Sequence, residues 1–216
     1  MKTIKAFLKD EKGYYLQCSG NKCYFEVGQI YRMDEMDRNC RNCFSASAHF
    51  DISETVRDYP LYDDIYYGIV YINFIEIEND KIIGDKIKVL EFLPNEFDIL
   101  AKYDKTGRWI YFAGIDWKQF NYRKGCEKLL EIDKTGEWIY WAGCNWEQFD
   151  YEKGLKKLLE IDKTGEWIYW AGRYWKQFDY KKGYKKLLGI DKTGEWSSLA
   201  YIDWNNLIIE EDLENY

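Results

Sequence analysis

The stretch Ile132-Asp133-Lys134-Thr135-Gly136-Glu137-Trp138 decides the fold of the second half of this chain, because it recurs. The same seven letters, IDKTGEW, begin again at Ile161 and Ile190, and the variant YDKTGRW begins at Tyr103. The four starting positions, 103, 132, 161 and 190, are separated by a constant 29 residues. A fixed period of this length is typical of stacked supersecondary units that bury their apolar faces against one another.

The sequence pattern within each unit of the repeat predicts a pair of helices. In residues 150–175, Asp150 is a favourable N-cap, and the apolar side chains that follow it recur at helical spacing. Gly165 can adopt a positive φ and end this first helix, with Thr164 beside it as a cap for the next segment. The segment Glu166–Trp175 predicts a second, shorter helix that carries rings almost all round and is the more buried of the two.

Aromatic residues recur at equivalent positions in every copy. One tryptophan opens each second helix, another closes it, and in the first three copies a phenylalanine follows in the connection. We expect most of these rings to form the core between neighbouring units. The opening series is Trp109, Trp138, Trp167 and Trp196, the closing series is Trp117, Trp146, Trp175 and Trp204, and the phenylalanines are Phe120, Phe149 and Phe178.

Within the repeat, Gly165, Tyr169, Ala171, Gly172 and Asp179 form a pattern of glycine, then Tyr-x-Ala-Gly, then an aspartate that opens the next helix. In this pattern the block resembles degenerate bacterial helical-repeat proteins. The resemblance implies that residues 96–216 are an α-solenoid of four 29-residue helical hairpins with a C-terminal cap. It implies an architecture and no activity, because such repeats bind many different partners.

Residues 1–95 predict a small β-rich domain, so that the whole chain is α+β with a boundary near Pro94. Runs of β-branched and aromatic residues are separated by glycines, which is typical of short strands joined by turns. The predicted strands cover Lys2–Leu8, Tyr14–Gln17, Cys23–Val27, Ile69–Ile77 and Lys86–Phe92.

Several segments of the first 95 residues are similar to an uncharacterised small domain found in many phage and prophage proteins. They are Lys5-Ala6-Phe7, Cys18, the run from Phe25 to Tyr31, the run from Cys40 to Phe44, and the run from Asp85 to Val89. Relatives tend to show Gly-Phe-His where this chain has Cys43-Phe44-Ser45. The resemblance implies a mobile-element setting, and it implies no reaction.

Composition narrows the classes of function. The formal net charge is −7 and the chain has one histidine, which argues against a general nucleic-acid coat and is compatible with binding a basic protein surface. Aromatic residues make up 19% of the chain, a large supply of potential contact anchors. No apolar run approaches the length of a membrane span or a signal peptide, so we expect a cytoplasmic protein of a bacterial host cell that does not contact membranes.

Four cysteines suggest a metal site in the first domain. Cys18 and Cys23, followed by Cys40 and Cys43, have the C-x4-C and C-x2-C spacing of a four-thiolate zinc site. Buried free thiols are the alternative, and they are common in the cores of cytosolic proteins. We therefore expect no cofactor, with zinc at these four cysteines as the exception to test.

Catalytic patterns are sparse. The segment Ser45-Ala46-Ser47, with Glu54 and Glu76 after it, resembles the Ser-x-Ser strand and glutamate of mono-ADP-ribosyltransferases. No phosphate-binding glycine loop and no Ser-His-Asp set is present, and the lone His49 cannot complete most acid-base sites. We predict that the chain is not an enzyme, and an ADP-ribosyltransferase-like effector remains an alternative.

The favoured hypothesis is a non-catalytic protein-binding module. A phage setting and an acidic chain suggest an inhibitor that occupies a basic surface of a host protein or ribonucleoprotein complex, such as a CRISPR nuclease. Residues that vary between copies, together with tyrosines and lysines of the later repeats, are the predicted contacts. They are Ile115, Asp116, Tyr140, Asn145, Tyr169, Arg173, Tyr174, Lys181 and Lys185.

A single-stranded RNA binder is the other alternative. Lysines cluster on the first helices of the later repeats, where they could form a basic ridge beside stacking rings. A solvated helix face explains the same lysines, and interleaved glutamates leave the block near neutral. The ridge consists of Lys156, Lys157, Lys181, Lys182, Lys185 and Lys186.

Overall fold

The computed structural model describes residues 1–18, 21–32, 44–55, 65–78 and 81–213. The chain forms two compact units, Met1–Phe120 and Asn121–Tyr216. The first contains antiparallel β-sheets followed by short helices, and the second is helical, so the chain is α+β as predicted. The first copy of the repeated segment, which begins at Tyr103, lies in the first unit.

In the described ranges, the strands of the first unit form two antiparallel sheets. The larger sheet has the order β3-β2-β1-β6-β9-β4, and the smaller has the order β5-β8-β7. The strands are β1 (Lys2–Asp10), β2 (Gly13–Cys18), β3 (Asn21–Phe25), β4 (Ile30–Arg32), β5 (Phe44–Ser47), β6 (Ile65–Ile72), β7 (Glu76–Glu78), β8 (Lys81–Gly84) and β9 (Lys86–Phe92).

The core of the first unit lies between the two sheets. Alternate residues of the larger sheet, including Phe7, Val70 and Val89, are buried against Phe44 and Ile82 of the smaller sheet. This alternation is the expected consequence of a two-residue side-chain period in strands. A short 3-10 helix, Ile52–Glu54, follows β5 along the chain.

Helices cover part of the face of the larger sheet that points away from the smaller sheet. They are α1 (Phe97–Leu100), a 3-10 turn (Ala101–Tyr103) and α2 (Arg108–Asp116). Trp109 of α2 is buried, and its indole Nε1 donates a hydrogen bond of 3.2 Å to the Tyr67 hydroxyl on β6. Phe97 stacks on the same indole, with 6.1 Å between ring centroids. The first copy of the repeat therefore packs on the β-sheet.

The described part of the second unit consists of three pairs of helices with the 29-residue spacing of the sequence. They are α3 (Tyr122–Ile132), α4 (Glu137–Asn145), α5 (Tyr151–Ile161), α6 (Glu166–Tyr174), α7 (Tyr180–Ile190) and α8 (Glu195–Leu213). The N-cap predicted at Asp150 is confirmed, because its side chain accepts a hydrogen bond of 3.0 Å from the backbone N–H of Lys153. The second helix predicted at Glu166–Trp175 is confirmed as α6.

A buried aspartate explains why the repeated segment is so constant. Asp162 ends α5, and its carboxylate accepts hydrogen bonds from the backbone N–H groups of Thr164, Gly165 and Ile168, at 2.9, 2.9 and 3.0 Å. These donors lie at the start of α6, where backbone N–H groups have no partner within the helix. Gly165 has φ 92°, which a residue with a side chain rarely adopts. Gly165 therefore precedes the second helix, whereas the sequence prediction used it to end the first.

Close contact between glycine and tryptophan joins successive units. The indole ring of Trp175 lies over Gly143 of α4, where an added Cβ would be 2.3 Å from ring atoms. Its Nε1 donates a hydrogen bond of 3.0 Å to the carbonyl of Tyr140. Trp204 covers Gly172 of α6 in the same way, at 2.2 Å. The closing tryptophans of the second unit are therefore core residues, as predicted.

Two aspartates at the same position of the repeated segment, Asp104 and Asp191, are expected to have very different pKa values. Burial raises the pKa of Asp104 to about 6, more than its backbone donors lower it, and the nearby Asp51 carboxylate adds to the rise. At Asp191 burial also favours a higher pKa, but hydrogen bonds from Ser197, Thr193 and Gly194 outweigh it and lower the pKa to about 2. The stabilising contribution of Asp104 is thus present below pH 4 and lost as pH rises through 6, and that of Asp191 is lost as pH falls through 2.

Carboxyl ¹³C NMR would measure both values. We expect one titration midpoint near pH 6 that disappears in Asp104→Asn, and one near pH 2 that disappears in Asp191→Asn. A midpoint for Asp104 below pH 4 would show that the backbone donors dominate over burial.

Candidate functional site

Large apolar side chains are exposed on the second helix of each pair in the second unit, α4, α6 and α8. Trp141 of α4 is 39% exposed, Tyr174 of α6 is 54% exposed, and Leu199 of α8 is 37% exposed. Half-buried tryptophans lie beside them. We call this set the aromatic strip, and it consists of Trp141, Trp167, Trp170, Tyr174, Trp196 and Leu199.

Ring contacts hold the aromatic strip in place. The centroid of Trp167 lies 5.5 Å from that of Tyr140, and the centroid of Trp196 lies 5.5 Å from that of Tyr169. Trp170 contacts Trp196 at 6.2 Å and stacks on Tyr174 at 5.8 Å, with 19° between the latter two ring planes. Rings fixed in this way lose little side-chain entropy when a partner covers them.

Two of the predicted contact residues, Tyr140 and Tyr169, are buried beneath the strip. Burial raises the pKa of both hydroxyls, and a hydrogen bond to Asp203 adds to the rise at Tyr169. They support the exposed tryptophans, and little of either ring is available to a partner.

Arg173 and Tyr174 lie at the exposed end of α6, as their variable repeat position predicts. The Arg173 guanidinium donates hydrogen bonds to the Asp203 carboxylate at 2.6 Å and to the Tyr169 hydroxyl at 2.9 Å. The Tyr169 hydroxyl donates to the same carboxylate at 2.6 Å. This network links α6 to α8 beside the aromatic strip. On α4 the exposed Asn145 donates to the backbone carbonyl of Trp141.

The remaining predicted contacts lie elsewhere. Ile115 and Asp116 end α2 in the first unit, where Ile115 is exposed and burial raises the pKa of the half-buried Asp116. Lys181 and Lys185 are exposed one turn apart on α7. Only the α4 and α6 members of the predicted set lie at the aromatic strip.

The predicted basic ridge is partly neutralised. Lys157 forms an ion pair of 3.2 Å with Glu160, and Lys182 forms one of 2.7 Å with Asp179. Lys156, Lys181 and Lys185 are exposed, and Lys186 is half-buried. Pairing within the same helix weakens the case for phosphate binding by this ridge.

Four exposed large apolar side chains of α4 and α8 were not among the predicted contacts. Trp141 and Leu199 each lie three residues after an opening tryptophan, and Tyr201 and Ile202 follow on α8. The spacing of Trp138 and Trp141 places them on a different side of α4 from the buried Ile139 and Ala142. That offset was the one sequence signal for an exposed stripe.

The zinc prediction falls largely outside the part of the chain that the structure describes. Cys40 and Cys43 lie outside the described residues, as does the Cys18 side chain. Cys23 is a half-buried free thiol that packs against the core between the sheets. The described ranges contain no cluster of metal-ligating side chains. The four-thiolate site stays a prediction.

Only some of the residues that suggest an ADP-ribosyltransferase-like effector lie close together in the structure. The Ser47 hydroxyl donates a hydrogen bond to the Glu54 carboxylate, and the His49 ring lies 3.9 Å from the other oxygen of that carboxylate. A cavity of about 210 Å³ adjoins this pair and is lined also by Lys5 and Lys81. Because the carboxylate lies between serine and histidine, the order is not that of a Ser-His-acid nucleophile.

Glu76 lies apart from the Ser47–Glu54 pair. It pairs with Ile83 on β8, which pairs in turn with Ser45 on β5. Glu76 is therefore two strands away from the serine strand. The alternative of an ADP-ribosyltransferase-like effector stays a prediction.

No family model matches this chain, and no curated protein or solved structure is significantly similar to it. None of the helices in the described ranges combines the length and apolar character needed to cross a bilayer.

Proposed function

We propose that the helical unit is a protein-binding module and that the aromatic strip is its contact surface. The observation that carries the proposal is the contrast between two tryptophan series of one repeat. In the second unit the closing tryptophans Trp146, Trp175 and Trp204 are buried, whereas at another shared repeat position Trp141 is exposed and Trp170 is half-buried. Tryptophan, tyrosine and arginine are the residues that most often dominate binding energy at protein interfaces.

The proposed architecture of residues 96–216 is an α-solenoid of four 29-residue hairpins with a C-terminal cap, and the last three hairpins belong to the helical unit. Repetition of one contact supports it, because Trp175 on Gly143 and Trp204 on Gly172 join successive copies in the same way. At the equivalent position of the last copy the glycine is replaced by Tyr201, which is exposed. A terminal repeat that lacks the docking glycine fits the role of a cap.

The proposed partner is a basic surface of a host protein or ribonucleoprotein complex, with a CRISPR nuclease as the specific hypothesis. The net charge of −7 supports a basic partner, and the resemblance of the first 95 residues to a phage-type domain supports an anti-defence setting.

A capture experiment with matched variants tests the contact surface. The full chain is immobilised and exposed to bacterial lysate with and without nuclease treatment, beside the double variant Trp141→Ala/Tyr174→Ala. We expect the double variant to lose a partner that the natural chain retains, with a loss in affinity of about 30-fold, which corresponds to about 1 kcal/mol for each of the two truncated rings.

The control variant is Leu188→Ala, which removes an exposed apolar side chain from α7. It should capture the partner as the natural chain does. Equal capture by all three chains would contradict a role for the aromatic strip, and loss of the partner after nuclease treatment would favour the nucleic-acid alternative.

The anti-defence hypothesis has its own test. Purified chain is added to RNA-guided nucleases, and cleavage of target DNA is measured. Inhibition by the natural chain and by Leu188→Ala, but not by Trp141→Ala/Tyr174→Ala, is the expected result. If none of a broad panel of such nucleases is inhibited, the CRISPR hypothesis is wrong, whereas the capture result would still decide whether the strip binds protein.

A further inference from the structure

The outer face of the larger sheet carries a cluster of cations that the helical site does not explain. In the register of the sheet, Lys2 of β1 pairs with Tyr71 of β6, Tyr71 pairs with Lys88 of β9, and Lys88 pairs with Ile30 of β4. Directly paired residues of an antiparallel sheet place their side chains on the same face. Arg32 pairs with Lys86 two residues further along the same strands.

Burial confirms that these residues face away from the core. Tyr71 is 53% exposed and Ile30 is 59% exposed, whereas Val70 and Ile72, on either side of Tyr71 in the chain, and Ile87, between Lys86 and Lys88, are buried between the sheets. Lys2, Arg32 and Lys86 are exposed, and Lys88 is half-buried. We call Lys2, Ile30, Arg32, Tyr71, Lys86 and Lys88 the basic sheet face.

The charges of this face are not neutralised within the described part of the chain. None of its four cations forms an ion pair with a carboxylate there, and Lys2 is instead 5.8 Å from the ring of Phe50. Among the described acidic residues near this face, Glu91 lies opposite Ile69, Glu26 precedes Val27, which bridges to Val89, and Asp85 accepts a hydrogen bond from the Asn73 side chain. Four cations on one face stand out in a chain whose net charge is −7.

We propose that the basic sheet face binds single-stranded nucleic acid, with a base stacked on Tyr71 and phosphates at the surrounding lysines and Arg32. Cations attract acidic proteins as well as phosphates. The exposed ring between Lys2 and Lys88 favours nucleic acid, because every base offers a flat ring to stack on the tyrosine, whereas the side chains of aspartate and glutamate have no ring. Stacking on a sheet tyrosine requires an unpaired base, which selects single strands over duplexes.

Fluorescence anisotropy of the full chain with labelled oligouridine and oligothymidine tests the proposal. Each phosphate contact contributes about −0.7 to the slope of log affinity against log salt for a single strand, so four contacts predict a slope of about −2.8. Lys2→Gln/Lys88→Gln should reduce the slope to about −1.4 by the same arithmetic. The two probes distinguish RNA from DNA as the source of the strand.

Tyr71→Val separates stacking from charge. Valine preserves the preference for a strand, so the fold should be retained, which a thermal melt checks. We expect the variant to bind the strand about tenfold more weakly, because it loses the stacked base. The slope of log affinity against log salt should not change, because every phosphate contact is kept. Tyr71→Phe should bind as the natural chain does, and so should the exposed controls Tyr201→Val and Lys163→Gln.

Three results would overturn the proposal. One is the absence of binding to both strands at low salt. Another is binding that Tyr71→Val and Lys2→Gln/Lys88→Gln leave unchanged. The third is that polyglutamate binds as tightly as the oligonucleotides do and that Tyr71→Val does not weaken its binding. That result would identify the face as a site for acidic protein.

Discussion

Asp162→Ala is expected to lower the free energy of unfolding of the helical unit by about 4 kcal/mol. The Asp162 side chain is only 2% exposed, and its two oxygens serve the backbone N–H groups of Thr164, Gly165 and Ile168. Alanine leaves the buried N–H groups of Gly165 and Ile168 without an acceptor at the start of α6. A buried donor without a partner costs on the order of 1–3 kcal/mol, and a lost helix cap alone costs about 1.

Urea denaturation followed by helical circular dichroism measures this loss. Asp162→Asn keeps one of the two oxygens and should lose less. The matched control is Asp191→Ala, which removes the same contacts to Thr193, Gly194 and Ser197 from a more exposed turn. Water can replace the carboxylate there, so the expected loss is about half as large. A loss at Asp191 equal to that at Asp162 would contradict the role of burial.

Gly143→Ala is expected to destabilise the helical unit by about 3 kcal/mol, although alanine is the better helix former. The new Cβ would be 2.3 Å from Cε2 and Nε1 of Trp175. The indole would have to move, and its hydrogen bond to the Tyr140 carbonyl would weaken. Overpacking of a closed core contact outweighs the gain in helix propensity.

Gly189→Ala is the control, because Gly189 also lies within a helix, α7, and an added Cβ there meets nothing within 4 Å. Earlier copies have Glu131 and Glu160 at this position. We expect Gly189→Ala to raise the free energy of unfolding by about 0.5–1 kcal/mol. The same denaturation experiment measures both variants, and a stabilising Gly143→Ala would show that Trp175 does not close on α4.

The helices of the repeat could be predicted from the sequence because their ends depend on local hydrogen bonds. Asp150 caps α5, and α6 covers the predicted segment except for its last residue, Trp175. The function of Asp162 was missed, although the residue is constant in every copy. Its three partners follow within six residues, so a search for local side-chain caps would have found it.

Strand boundaries were predicted less well, because sheet membership depends on distant partners. The predicted strand Ile69–Ile77 is wrong as a single element. It is divided into the end of β6 in one sheet and β7 in the other. Between them, Asn73 hydrogen bonds to Asp85 and to the backbone of Lys86, contacts that hold the chain where it changes sheets. The short strands β4, β5 and β8 were also missed.

The repeat period, the helix caps and the glycines that receive tryptophans are properties that the sequence by itself determined, since each depends on residues within one or two copies. Exposure of the rings was decided only by the tertiary structure. Trp109 and Trp167 occupy the same repeat position, yet Trp109 is buried against Tyr67 and Phe97 while Trp167 is half-exposed. The physical reason is that burial is a property of the neighbours a side chain meets, and those neighbours are distant in the sequence.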